Sequence, residues 1–293
     1  MTGQHSSLNL RSLFFVGNLS IFMIGLGFAV RANIAADLER DIFSVLDAAH
    51  SASMVGEVLG ATFIGFALTL LFGSALVDFI GTKRMMLLAA VGYLIGSVAV
   101  IAATLIEPSA IAYSLVYGGL LMTGFGWGAV EAASNPMIAA LFPEEKTKRL
   151  NILHAWWPAG IVVGGLMGLG LGAFDLMWQI NLFILIVPSL LLFALVLRLD
   201  FPVTERVAAG LSYSDMFKEL VRSPSFFIWV GCMLATASSE LAPGQWVDIT
   251  LSNVVGMQGI LLLVYVSALM FIMRSFAGFF TSFMSPIALL LFG

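Results

Sequence analysis

Charge is what this sequence most lacks. Asp, Glu, Lys and Arg make up only 10% of its 293 residues, and hydrophobic residues 60%, whereas a soluble domain carries about 25% charged residues. A soluble chain so composed could not cover its own surface, but in lipid the outer surface is apolar by requirement. Cysteine is almost absent. Cys232 stands alone in an apolar run, which excludes a disulfide framework and a cysteine-based metal site. The three histidines, His5, His50 and His154, share no metal-ligand spacing, so no metal or cofactor is expected. Basic runs are missing too, so nucleic acid is not an expected partner. Neither a nucleotide-binding loop nor a nucleophile–base–acid pattern occurs, and an enzyme is the least supported class. No cleavable leader is expected. The first apolar run, from about residue 13, is long enough to span and has no small-residue cleavage site after it.

What is present is a succession of apolar runs of spanning length. They fall at about 13–30, 54–77, 85–105, 112–142, 152–174, 178–197, 226–241 and 256–280, each fit to cross a bilayer as a helix. A ninth begins at Ile287 and stops at Gly293. The expected fold is an all-α integral membrane protein with about eight complete transmembrane helices plus the start of a ninth. The basic residues set its orientation. Arg11, Lys83, Arg84, Lys146, Lys148, Arg149, Arg198, Arg206, Lys218 and Arg222 fall on one face, and Arg31 and Arg40 in the loop after the first span. The positive-inside rule then places the N-terminus in the cytoplasm of a multi-pass protein of the plasma (inner) membrane. The longest polar connection, about 200–224, reads as a solvated linker, with a short amphipathic surface helix over 215–220 as the alternative. It divides the chain into a six-helix bundle at 1–198, a linker at 199–224 and a partial second bundle at 225–293.

The connection after the second span reads Gly73-Ser-Ala-Leu-Val-Asp78-Phe-Ile-Gly81-Thr-Lys83-Arg84. A glycine lets helices approach, a carboxylate at a helix end accepts charge-assisted hydrogen bonds, a second glycine permits a tight turn, and the basic pair holds the loop inside. In residues and position this resembles the signature between spans two and three of the major facilitator superfamily. The resemblance implies two six-helix bundles joined by a cytoplasmic loop, twelve spans in all, with Gly73, Asp78, Gly81, Lys83 and Arg84 as a conformational gate. Fewer than nine spans here make the chain read as C-terminally incomplete. A narrower likeness covers about 40 residues. Gly124-Phe-Gly126 through Glu131-Ala-Ala-Ser-Asn135-Pro136, then Arg149-Leu-Asn151-Ile-Leu-His154, is similar to the fucose and glucose/galactose permease branch, in which the matching glutamate is associated with proton coupling. The first span departs from that branch: it has Asn18 and ends at Arg31 instead of carrying an acid.

A charge inside a span costs a few kcal/mol and marks a functional candidate. Glu131 lies in the middle of span four and shares a helix face with Asn135, four residues on. Pro136 frees a backbone carbonyl nearby. Glu57, near the outer end of span two, would face a cavity or the headgroups. Arg274, near the inner end of span eight, would snorkel, bind an anion or meet a carboxylate. His154 and Trp156 could line the inner mouth, while Trp157 reads as an interfacial belt anchor. Asn18, Gln179 and Asn181 suit interhelical hydrogen bonds. Pro243 and Gly244 should break span seven, which makes Glu240, Gln245 and Trp246 cavity or outer-gate candidates. The function that follows is secondary transport of a small polar solute, sugar-like by preference, by alternating access, with protons bound at Glu131. The alternative is a non-transporting sensor, scaffold or inactive fragment on the same fold.

Overall fold

The structure, a computed structural model, describes residues 8–174, 176–255, 259–280, 283–285 and 288. The side chains of 245–250, 252–253, 255, 277 and 280 lie outside the description. Nine helices carry the fold among the described residues: α1 Leu10–Leu38, α2 Ser51–Ile80, α3 Thr82–Ala103, α4 Ala110–Leu141, α5 Lys146–Ala173, α6 Ile180–Arg198, α7 Tyr213–Arg222, α8 Pro224–Val255 and α9 Gly259–Ser275. Shorter helical segments, Ser44–Leu46, Pro143–Glu145, Glu205–Ala208 and Ala277–Phe280, accompany them. Among the described residues, seven helices are long and apolar enough to cross a membrane. α9, at 17 residues, is apolar but shorter.

Local chemistry sets several boundaries. Asn9 caps α1 by accepting from the Ser12 amide, and Ser109 caps α4 by accepting from the Ala112 amide. Gly81 alone separates α2 from α3. Its φ of 86° and ψ of 144° lie where only glycine is comfortable. Two expected ends do not exist. α1 runs through Arg31 to Leu38 and continues as a π-helical stretch, Glu39–Phe43. Arg31 therefore belongs to no loop. α8 likewise runs through Pro243 to Val255 without the expected break, because neighbouring turns can absorb one lost helical hydrogen bond.

α4 packs between α2 and α3, α1 lies on α5, α3 on α6, and α5 on α9. The α1–α5 crossing is so close that a Cβ at Gly25 would fall 1.8 Å from the Trp157 carbonyl oxygen, and one at Gly160 would fall 2.1 Å from that of Phe22. Only glycine permits backbones to meet this way. The packed interior contains Phe28, Tyr93, Trp127 and Ile161. Large apolar side chains such as Leu71, Phe72 and Val187 point outward, as they must where the solvent is hydrocarbon.

The segment after α6 is not a free linker. Thr204 and Arg206 dock onto the end of α2, and Ser212 caps α7. α7 carries Tyr213, Met216, Phe217, Leu220 and Val221 at spacings that place them on one stripe.

Candidate functional site

The interior of the first five helices holds a cation where hydropathy alone would not place one. Arg31, on α1, is 2% exposed. Its guanidinium carbon lies 4.5 Å from the ring centre of Trp127 on α4, 5.0 Å from Phe63 on α2 and 5.6 Å from Phe28, one turn back on α1. Nη1 also donates to the Leu59 carbonyl at 3.3 Å. Three aromatic faces from three helices thus make a cage, and each cation–π contact is worth about 1 kcal/mol or more when desolvated. Phe28 in turn packs edge-on against Trp157 of α5 at 5.8 Å. Trp157 is therefore part of the interior and not the belt anchor expected of it. Hydropathy ends the first span at its first charge and so places Arg31 in a loop. A window extended past residue 31 would have flagged an intramembrane cation.

One turn along α4 from Trp127 stands Glu131, half-buried. Its Oε2 accepts from Asn135 Nδ2 at 2.6 Å, and Nδ2 also lies 3.2 Å from the Glu131 backbone oxygen. Asn135 Oδ1 in turn lies 2.8 Å from Nε2 of His154 on α5. Three residues singled out in the sequence are thereby joined in one hydrogen-bonded row. The i, i+4 pair was legible from helix geometry. The contact to His154 closes through the α4–α5 turn.

The remaining candidates are scattered. Glu57 is exposed on α2 and accepts from the Tyr113 hydroxyl of α4. Trp156 packs edge-on against Phe22 of α1 and Phe271 of α9, and Arg274 is half-exposed in the last turn of α9. Glu240 is exposed on α8, and the side chains of Gln245 and Trp246 lie outside the described residues. Among the described residues, the expected interhelical bonds of Asn18 and Asn181 are not seen. Asn181 donates to Trp178 O in the turn just before α6, and the buried Oδ1 atoms of Asn18 and Asn181 have no partner among the described residues. An apolar groove of about 430 Å³ between α2, α3 and α4 lies away from the charged row and presents mainly side chains such as Leu68, Phe72 and Phe125.

A second constellation sits where α2 meets α3. The Asp78 carboxylate is 8% exposed and accepts from Arg206 Nε on one oxygen and the Thr204 hydroxyl on the other. Arg206 also donates to Leu211 O and lies 4.9 Å over the Tyr213 ring, which itself packs on Phe79 with centroids 4.6 Å apart. Burial, then the Asp78 charge, pushes the Tyr213 hydroxyl above its ordinary value. Lys83 caps α6 by donating to Leu197 O at 3.0 Å. Gly73 takes no part in this clamp; it faces Met85 and Ala132 and serves helix packing. Thr204 and Arg206 were not legible, because they meet Asp78 from more than 120 residues away.

The family model described as Major Facilitator Superfamily matches residues 12–293. Among solved structures, the chain is similar to the crystal structure of a D-xylose-proton symporter. Identity is 15% and the TM-score 0.68, over 88% of this chain and 66% of that one. It is also similar to the xylose transporter XylE from E. coli in an inward-open conformation, with 16% identity, a TM-score of 0.59, and coverage of 90% of this chain and 66% of that one. The chain thus spans 66% of the length of each of these structures, and at such identities the likeness concerns the fold. No curated protein sequence matches it significantly.

Proposed function

The chain belongs to the major facilitator superfamily, and from that premise we propose that it is a secondary transporter of a small polar solute, sugar-like by preference, coupled to protons at Glu131. The observation that carries this reading is a half-buried carboxylate in the middle of α4, bonded by a neutral amide. A carboxylate so placed can exchange a proton without first breaking an ion pair, and its energy in the two charge states depends on how much water reaches it. Alternating access would supply that change in water, by rocking the bundle at 1–198 against the helices at 225–293 around the 199–224 connection. The close glycine crossing of α1 on α5 supports a bundle that moves as a unit. The basic loops support a cytoplasmic N-terminus in the plasma membrane. Sugar as cargo is favoured by the fold shared with xylose transporters and by the amide and imidazole beside Glu131, which suit hydroxyl groups.

The test uses the full-length protein in liposomes with a pH-sensitive dye inside. Adding pentoses and hexoses one at a time to the outside should acidify the lumen for at least one of them, in proportion to solute entry. Entry of a solute with no accompanying proton flux would remove the coupling part of the proposal. Failure of every small polar solute to enter would remove the rest.

A further inference from the structure

We propose that His154 is a second proton holder, joined to Glu131 through Asn135 so that the pair shares one proton. This rests on the reading of Glu131 as the coupling carboxylate and deepens it. The orientation of the Asn135 amide is the key. Its Nδ2 approaches two atoms of Glu131, the carboxylate Oε2 at 2.6 Å and the backbone oxygen at 3.2 Å. A backbone carbonyl oxygen can only accept. The NH2 edge must therefore face Glu131, and Oδ1 must face α5. Oδ1 is itself an acceptor and lies 2.8 Å from His154 Nε2, so Nε2 carries a hydrogen. The row then has a single direction: imidazole N–H to amide oxygen, amide N–H to carboxylate.

Such a row distinguishes between its charge states. A proton added at His154 Nδ1 makes Nε2–H a stronger donor, which polarises the amide and strengthens its bond to an anionic Glu131. Protonating Glu131 weakens the far end and removes that support from a charged imidazole. The two favoured states are therefore imidazolium with carboxylate, and neutral imidazole with carboxylic acid. A proton released from His154 Nδ1 to water is matched by one that the Glu131 carboxylate takes up from water, while the hydrogens of Nε2 and of the Asn135 amide stay in place. The pair also has a direction in the fold. Asn135 stands one turn nearer than Glu131 to the end of α4, and His154 lies two turns into α5 at that same end, beside Lys146, Lys148 and Arg149. The other charged or titratable groups on the surrounding helices are Arg11, the caged Arg31 and Asp37 on α1, Glu57 and Asp78 on α2, Lys83, Arg84 and Tyr93 on α3, Tyr113 and Tyr117 on α4, Arg198 on α6 and Tyr265 on α9. Arg149 on α5 is 2.7 Å from Glu145, and Arg274 on α9 lies one turn beyond Phe271, which packs on Trp156. Among the described residues, the hydrogen bond of the His154 ring is the one to Asn135 Oδ1.

The experiment is imidazole nitrogen NMR on the full-length protein, labelled at histidine and held in lipid nanodiscs, with the His154 signal assigned by its loss in His154→Gln. Neutral His154 should show the Nε2–H tautomer. At a fixed mildly acidic pH, its imidazolium fraction should drop several-fold in Glu131→Gln and in Asn135→Leu. An Nδ1–H tautomer in the unaltered protein would overturn the proposal, as would an imidazolium fraction that neither substitution changes. This readout needs no transport. Full proton-driven uptake by Glu131→Gln would defeat the parent reading and leave the NMR result standing. In liposomes, His154→Gln keeps a donor for Asn135 but cannot hold the proton, so the pH profile of uptake should lose one of its two ionisations. An unchanged profile would count against the proposal.

Discussion

Two carboxylates of this protein, both on helices and both partly shielded, are treated in opposite ways. Asp78, at the end of α2, is gripped by the guanidinium of Arg206 and the hydroxyl of Thr204. Glu131, inside α4, is met by an amide that carries no charge. The first arrangement fixes an anion, because removing either partner leaves a charge shielded from water. The second sets a neutral amide, not an opposite charge, against the carboxylate. The same chemical group thus serves as a fastener at the edge of the membrane and, on the proposed reading, as a proton carrier within it. The difference lies in the partner that the fold supplies.

The clamp can be broken in steps that sharpen this contrast. Arg206→Ala leaves Asp78 shielded and half-satisfied, and should release the 204–211 segment at a cost of about 2 kcal/mol. Hydrogen exchange of the amides there should rise about thirtyfold, with exchange inside α4 unchanged. Gly81→Ala forces a Cβ onto a backbone with φ of 86° and should cost about 1–2 kcal/mol. It should loosen the same segment to a smaller degree, because it moves Asp78 without removing its partners. Lys146→Ala deletes an exposed pair with Glu205 at 3.2 Å, worth about 0.5 kcal/mol or less, and should leave exchange within error. Equal effects of all three would mean that the clamp is not organised around Asp78.

The spans were legible because hydrocarbon demands long apolar helices, and that demand is written in one dimension. Glu131 and Asn135 were legible because four residues make a helix turn. The gate motif was legible as residues, but only half of its clamp lies in the motif. Thr204 and Arg206 come from a segment whose polar composition suggests a solvated linker, and their pairing is decided by where α6 returns the chain. Arg31 failed for a related reason. A hydropathy reading ends a span at a charge, whereas the caging rings of Phe63 and Trp127 sit on other helices and cannot be seen from residue 31. Pro243 misled because proline breaks helices in water more readily than in a bundle, where neighbours meet the freed groups.

The most direct test of the account is a pair of assays on Glu131→Gln in liposomes. One follows solute accumulation driven by a pH gradient; the other follows exchange of labelled for unlabelled solute with no gradient. A glutamine keeps the hydrogen bond to Asn135 but cannot release a proton. The expected result is accumulation lost by about a hundredfold or more, with exchange retained. Accumulation that survives at the unaltered rate would contradict the assignment of Glu131 as the coupling group.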